Sequence, residues 1–338
     1  MRSLAVVTAL LLWFPSTVVA NDSAKSSGEP FVRIASSVSG HIHPAACVTK
    51  RGTVLVIFSQ ADMRDLRLAR STDGGRTWSQ PVPFGPTEKL SIYPGSLTTL
   101  ADGRVVHVWN TWYPEPDAKG GKSRFAQFSV SADDGLTWSE PKSLAKPATP
   151  EPHSVARHPI VELAPTAWLF SLMDRTIVYD PLAETSRPFG DGRNHGLVPI
   201  VWTPQGTLIS GAGLRSTDAG QTWQTISPFP KIGADGWRYD LMVADNGCLV
   251  ASEVLGPGVG GDLWRFVVSR DDGQSWDFDG TVEFYNPGRP IGGRACPKTV
   301  QLDKARLGTV FYDVDPNQPG GPGVFFLRTP LARLSRGG

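Results

Sequence analysis

The sequence predicts an all-β fold, a six-bladed β-propeller of four-stranded antiparallel blades. Three observations carry that prediction. A turn phrase recurs four times, a fainter strand-opening repeat raises the number of units to six, and the 338 residues are rich in turn formers, with Gly 36 and Pro 29. Phrases that recur at supersecondary spacing signal a repeat architecture.

The phrase is S-x-D-x-G-x-[ST]-W. Its copies are Ser71-Thr-Asp73-Gly-Gly75-Arg-Thr77-Trp78, Ser131-Ala-Asp133-Asp-Gly135-Leu-Thr137-Trp138, Ser216-Thr-Asp218-Ala-Gly220-Gln-Thr222-Trp223 and Ser269-Arg-Asp271-Asp-Gly273-Gln-Ser275-Trp276. Asp can bond backbone N–H groups ahead of it and fold a tight turn. Gly two positions later supplies φ > 0, and Trp adds a large apolar face. Strand-like flanks precede it, as in Leu66-Arg-Leu-Ala, Phe125-Ala-Gln-Phe-Ser-Val and Trp264-Arg-Phe-Val-Val. The phrase is therefore a structural hairpin lock and does no chemistry itself.

The second repeat is a strand opening with a residue before Pro: His43-Pro44, Tyr93-Pro94, His158-Pro159, Val198-Pro199 and Cys296-Pro297, with Tyr239-Asp240 at the matching place in the fifth unit. A second strand follows each, often behind a Gly turn. Six four-stranded units in a ring make a propeller. The third and sixth units lack a clean Asp phrase, and Phe31-Val-Arg-Ile-Ala is expected to complete the last sheet and close the ring, which removes exposed edges.

Residues 1–20 are expected to be a secretory signal peptide. Arg2 is followed by an apolar run from Leu4 to Phe14 and by Val18-Val-Ala20 as a small-residue cleavage site. The apolar run is short for a membrane span. Residues 21–30 look like a flexible leader, and 31–338 form one propeller domain, exported to the periplasm or secreted. Net charge is +1, from Lys+Arg 33 and Asp+Glu 32, with no basic stripe to suit nucleic acid. Cys47, Cys248 and Cys296 are too few for a disulfide framework and are expected to be buried free thiols, with a Cys47–Cys296 bridge open only if the first and last units meet.

Topology separates the two faces of the disc. The Asp phrases lie on one. The first-strand starts and the second-to-third loops lie on the other, where a ligand belongs. His41, His43, His153, His158 and His195, five of the six histidines, fall on or near those starts, with Tyr93, Arg157, Arg238, Tyr239 and Arg294. The loops add Asp62, Arg64, Asp174, Arg175, Glu253 and Tyr312. Each residue alone is more often a structural hydrogen bonder, but their convergence suits a polar binding site. His41-x-His43 with His158 or His195 lacks a completing ligand at a metal spacing, so neither a metal nor another cofactor is expected.

With these repeats the chain resembles the sialidase superfamily, six-bladed propellers whose turns are known as Asp boxes. The resemblance covers nearly all of residues 31–338. It implies an enzyme that grips a sugar carboxylate with three arginines and uses a Tyr nucleophile. A Glu would polarise that Tyr, and an Asp on a first-blade loop would protonate the leaving group. Carried onto this sequence, Asp62 is the acid, Tyr312 the nucleophile, Glu253 its partner, and Arg238 and Arg294 two of the arginines. The family's [YF]-R-I-P motif appears as His41-Ile42-His43-Pro44, so Ile42 stands at the first arginine's position. Three functions remain open, and a carbohydrate is the expected partner. One is an exo-acting glycoside hydrolase for an acidic or modified sugar. Another is a lyase using His43, His158 or Tyr239 as base beside Arg238. The third is a non-catalytic glycan- or protein-binding propeller, whose Trp109, Trp112, Tyr113 and Trp237 would stack on sugar faces.

Overall fold

Each Asp phrase closes the hairpin between a third and a fourth strand. In the first copy, the Asp73 Oδ1 accepts the N–H groups of Arg76 and Thr77 at 2.9 Å each, and its Oδ2 accepts the Thr77 hydroxyl at 2.7 Å. The Ser71 hydroxyl donates to Asp73 at 2.8 Å and accepts the Gly75 N–H at 2.8 Å. The other three copies repeat these Ser and Thr (or Ser275) bonds to the Asp. Partial burial pushes the Asp133 carboxyl upward, but the hydroxyl and N–H of Thr137 and the Ser131 hydroxyl outweigh it and bring it down to about 2.

The computed structural model describes residues 31–61, 64–85, 91–116, 122–144, 155–230, 240–256, 263–293 and 296–334. The described chain is six four-stranded antiparallel sheets. Strand β1 (Val32–Ser36) waits for the end of the chain. Blade 1 is β2 (Ala45–Val48), β3 (Val54–Ala61), β4 (Arg64–Ser71) and β5 (Val82–Pro83). Blade 2 is β6 (Ser91–Thr99), β7 (Val105–Pro116), β8 (Lys122–Ser131) and β9 (Lys142–Ser143). Blade 3 is β10 (Val161–Ala164), β11 (Ala167–Ser171), β12 (Thr176–Asp180) and β13 (Thr185–Pro188). Blade 4 is β14 (Ile200–Trp202), β15 (Leu208–Ser210), β16 (Leu214–Ser216) and β17 (Gln224–Thr225). Blade 5 is β18 (Asp240–Val243), β19 (Leu249–Leu255), β20 (Leu263–Ser269) and β21 (Asp277–Tyr285). Blade 6 is β22 (Lys298–Asp303), β23 (Arg306–Asp313) and β24 (Gly323–Pro330), with β1 as its fourth strand.

The pairing of β1 with β24, Val32 opposite Phe326, closes the ring as expected. It also explains why blade 6 has no Asp phrase: its fourth strand arrives from the other end of the chain, so there is no hairpin to lock. Blade 3 turns by other means, the Asp180 Oδ1 accepting the N–H groups of Leu182 and Ala183.

The core is divided among the seams between blades. Phe31, Trp264, Phe266, Phe284, Phe311 and Phe325 fill the seam of blades 5 and 6, and Ile42, Phe58, Trp78, Tyr312 and Phe326 that of blades 6 and 1. The phrase tryptophans serve these seams too: Trp78 packs edge-on against Phe326 at 5.0 Å, and Trp138 against Phe84 at 5.3 Å. The three cysteines are free thiols, Cys248 only partly buried. Burial pushes the Cys47 thiol up to about 12, which keeps it inert.

Two of the turns also grip the blade before them. Asp134, after the phrase Asp of blade 2, accepts the Thr53 hydroxyl of blade 1 at 2.6 Å and pairs with Arg70 at 3.3 Å. Asp272 of blade 5 does the same with Thr207 and Arg215 of blade 4. The phrase glycines sit against the same neighbours. A Cβ on Gly75, φ +83°, would lie 2.2 Å from a Phe326 ring carbon, whereas one on Gly74, φ +70°, would meet nothing within 4 Å. Gly74→Ala is therefore expected to cost only the left-handed backbone penalty, about 1–2 kcal/mol. Gly75→Ala adds overpacking of about 1–3 kcal/mol. Urea unfolding of the pair checks this, and equal midpoints would refute the contact.

Candidate active site at the axial face

The starts of the first strands meet at the axis, on the face opposite the Asp turns. Two of them are strained. His43, φ 43°, and Cys296, φ 34°, are left-handed immediately before Pro44 and Pro297, although a residue before proline favours extended backbone. A third start, after Tyr93-Pro94, needs Gly95, because a Cβ there would come 1.8 Å from the Val108 carbonyl oxygen.

Arg157, on the approach to blade 3, ties these three starts together. Its guanidinium donates to the carbonyls of Pro44 at 3.4 Å, Gly95 at 3.3 Å and Cys296 at 3.3 Å, in blades 1, 2 and 6. The side chain is buried, 1% exposed. Beside it Lys298, at the start of β22, donates to the Nδ1 of His158 at 3.0 Å and to Asp240 Oδ1 at 2.8 Å. The other oxygen of Asp240, which opens β18, accepts the Thr299 N–H at 2.6 Å. Burial lowers the Lys298 ammonium to about 8; Asp240 opposes that shift and nearby Arg157 adds to it. Lys298 is the functional-site residue that sequence reasoning passes over. Its signal was available, since it directly follows the Cys296-Pro297 start.

A second group lies at the seam of blades 6 and 1. The rings of His41 and His43 stack at 5.6 Å with 10° between their planes. Tyr312, the penultimate residue of β23, stands 6.5 Å from His43 at 59°. Tyr312 is fully buried, and Ile42 is its neighbour in the same apolar cluster. At the position where the family resemblance implies a carboxylate-gripping arginine, this chain thus has a packing residue. Glu253 belongs to blade 5, inside β19 rather than in the loop after it. It faces Arg265 across the β19–β20 ladder, and that guanidinium binds its carboxylate at 2.8 Å.

The remaining sequence candidates separate. Arg64 is exposed at the start of β4, and Tyr93 lies on β6. His158 joins Lys298, as above. His195 goes to the seam of blades 3 and 4, with Ser210 3.1 Å from its Nδ1 and Trp223 edge-on at 4.3 Å. Burial there lowers its imidazole to about 4. Trp109 points to the seam of blades 1 and 2, where it clusters with Leu66. Asp174 and Arg175 pair with each other at 2.7 Å. Asp62, His153, Arg238, Tyr239 and Arg294 lie outside the described residues, as does Trp237. Among the described residues no group of three His, Cys, Asp or Glu side chains could hold a metal ion.

No family model matches the chain. A sialidase of Bacteroides fragilis is 27% identical over 132 residues, which cover 30% of this chain and 24% of that protein. The chain thus spans about a quarter of the length of this curated relative. Among solved structures, a sialidase from Streptococcus pneumoniae superposes with a TM-score of 0.64 at 11% identity, over 90% of this chain and 71% of that one. An α-L-arabinofuranosidase from Fusarium graminearum gives 0.60 at 15% identity, over 93% and 100%. A protein of unknown function from Dyadobacter fermentans gives 0.61 at 18% identity, over 88% and 98%. The fold of this chain is therefore the six-bladed β-propeller of the sialidase type.

Proposed function

We propose that the chain is an exported glycoside hydrolase that removes a terminal acidic or modified sugar at the axial face of blades 1, 5 and 6. The observation that carries this reading is the approach of Tyr312, at the end of a second strand, to His43, on which His41 stacks. A Tyr nucleophile needs a base within reach, and we assign that role to His43, whose ring centroid lies 6.5 Å from that of Tyr312. The Tyr312 oxygen attacks the anomeric carbon while His43 takes its proton. The bond to the leaving oxygen breaks as Asp62 protonates it. Water, deprotonated by Asp62, then releases the sugar, and His43 returns its proton to Tyr312. Glu253 supplies negative charge from blade 5. Arg64, Arg238 and Arg294 are the cations available for an acidic substituent, because Ile42 supplies none. Sialidases and an arabinofuranosidase among the structural neighbours support glycan chemistry on this scaffold.

The test is a panel of aryl glycosides carrying sialic acid, glucuronic acid and arabinofuranose. At least one is expected to be turned over, and Tyr312→Phe is expected to lower kcat by about 100-fold or more with the circular dichroism spectrum unchanged. Undiminished turnover in Tyr312→Phe would overturn the assignment. A second reading, glycan binding without turnover, is favoured by one specific fact: Ile42 is buried in apolar packing where a carboxylate-gripping arginine would stand. Saturable sugar binding with no product across the panel would select it.

A further inference from the structure

Tyr312 is fully buried, yet a nucleophile must touch its substrate. The connection from β21 to β22 closes over it. Gly293, φ +73°, lies so near that a Cβ there would come 2.8 Å from Cε2 of the Tyr312 ring and 3.5 Å from Cζ, the carbon that bears the hydroxyl. One residue earlier, a Cβ on Gly292 would come 2.2 Å from the Asp315 backbone nitrogen. Both positions require glycine, and what requires it is close approach to the end of β23 and the residues just after it.

Ile291, just before the pair, is buried and belongs to the apolar cluster of blades 5 and 6 with Phe31, Tyr285 and Phe311. It is a fixed plug. Among the described residues, two backbone bonds hold the glycine pair down. The Gly292 N–H donates to Asp313 Oδ1 at 2.9 Å, and the Gly292 carbonyl accepts the Val314 N–H at a long 3.4 Å. Asp313 is buried, so its charge needs other partners when the first of these bonds breaks. It has three. The Asp315 N–H donates to Oδ1 at 3.0 Å, and the Tyr285 hydroxyl and Arg289 donate to Oδ2 at 2.7 and 3.0 Å. None of the three belongs to the glycine pair. Gly292 and Gly293 are themselves only partly buried, so their freed backbone groups meet water.

Resting on the reading of Tyr312 as the nucleophile, we propose that Gly292–Gly293 is a backbone gate, hinged after Ile291, that covers the Tyr312 ring at rest and swings aside to admit the sugar. Asp313 is its latch. The carboxylate releases one N–H on opening and stays neutralised by Arg289, so no charge is stranded in the core. Two successive glycines suit such a swing, since a residue without Cβ crosses between backbone regions at the least steric cost. The plug at Ile291 confines the motion to the pair, and Tyr285 and Arg289 stay in place beneath it.

The experiment nitrates the full chain with tetranitromethane at a series of urea concentrations below the unfolding transition, and reads each tyrosine by peptide mass spectrometry. Tyr179, buried in blade 3, and Tyr285, buried beside the latch, are the references. Local opening hardly depends on denaturant, whereas exposure through global unfolding rises steeply with it. In the wild type, Tyr312 nitration is expected to be flat in urea while that of Tyr179 and Tyr285 climbs. Gly293→Ala should raise the Tyr312 rate at least tenfold with both references unchanged, because its methyl group props the gate. Gly292→Ala serves if that variant does not fold. Tyr312 nitration that climbs with urea in step with Tyr179 would overturn the gate, as would glycine variants that raise all three tyrosines together. The catalytic reading is decided separately. Flat Tyr312 nitration without turnover of any aryl glycoside keeps the gate and removes the nucleophile. Turnover that is lost in Tyr312→Phe, with Tyr312 nitration tied to global unfolding, keeps the nucleophile and removes the gate.

Discussion

Asp240→Ala is expected to destabilise the protein by about 3–5 kcal/mol, the range for breaking a buried ion pair from one side. Asp240 and Lys298 are both nearly inaccessible, with side chains 4% and 3% exposed. The substitution leaves an ammonium in a dry site beside Arg157, and it also removes the acceptor of the Thr299 N–H. Asp240→Leu with Lys298→Met should recover part of the loss, because the orphaned ammonium is gone although the Thr299 N–H still lacks its acceptor. A pH series sharpens the test. The unfolded chain holds the Lys298 proton up to its ordinary 10.5, while the folded chain releases it near 8. Between those values the unfolded state binds more protons, so the free energy of unfolding rises with pH. The gain amounts to roughly 3 kcal/mol by the upper limit, at about 1.4 kcal/mol per unit. Urea unfolding across this window should show the wild type gaining on Lys298→Met, since the opposite slope from the Cys47 thiol, raised by burial from 9 to about 12, is common to both. In Asp240→Ala the gain should begin at lower pH. A wild-type curve no steeper than that of Lys298→Met would sink the account.

Arg157→Leu should cost a similar amount, about 3–5 kcal/mol. Three buried carbonyls on three blades lose a charged donor, and such bonds are worth roughly 1.5–3 kcal/mol each; their lengths of 3.3–3.4 Å put them toward the low end. Arg157→Lys should rescue little, because a single ammonium cannot reproduce the planar spread of a guanidinium. Hydrogen exchange would locate the damage. Faster exchange is expected in β2, β6 and β22, and a loss below 1 kcal/mol with unchanged exchange would mean that the carbonyls find water.

The propeller was legible because its signals are local. Asp73, Gly75 and Thr77 interact within five residues, and pattern alone finds such turns. Blade 3 was harder, since Asp180 makes its turn by a different set of bonds. The axial site was legible only as a set of positions. That polar residues gather at the first-strand starts follows from topology, but Lys298 meets Asp240 across 58 residues and His158 across 140. Arg157 reaches carbonyls 62, 113 and 139 residues away. Those partnerships exist only once the ring has closed. His195 shows the same limit from the other side. Its place near a strand start suggested the pocket, whereas packing against Trp223 draws it into a seam.

The grip of the blade 2 and blade 5 Asp turns on the preceding blade has an evolutionary consequence. Thr53–Asp134 and Thr207–Asp272 act as rivets, and both sit on one rim of the disc. On the opposite face the described ties, Arg157 and the Lys298–Asp240 pair, gather at the first-strand starts, apart from the second-to-third loops. Insertions and exchanges in those loops leave the rivets untouched, so a lineage can rewrite what the propeller recognises while its assembly stays under separate selection.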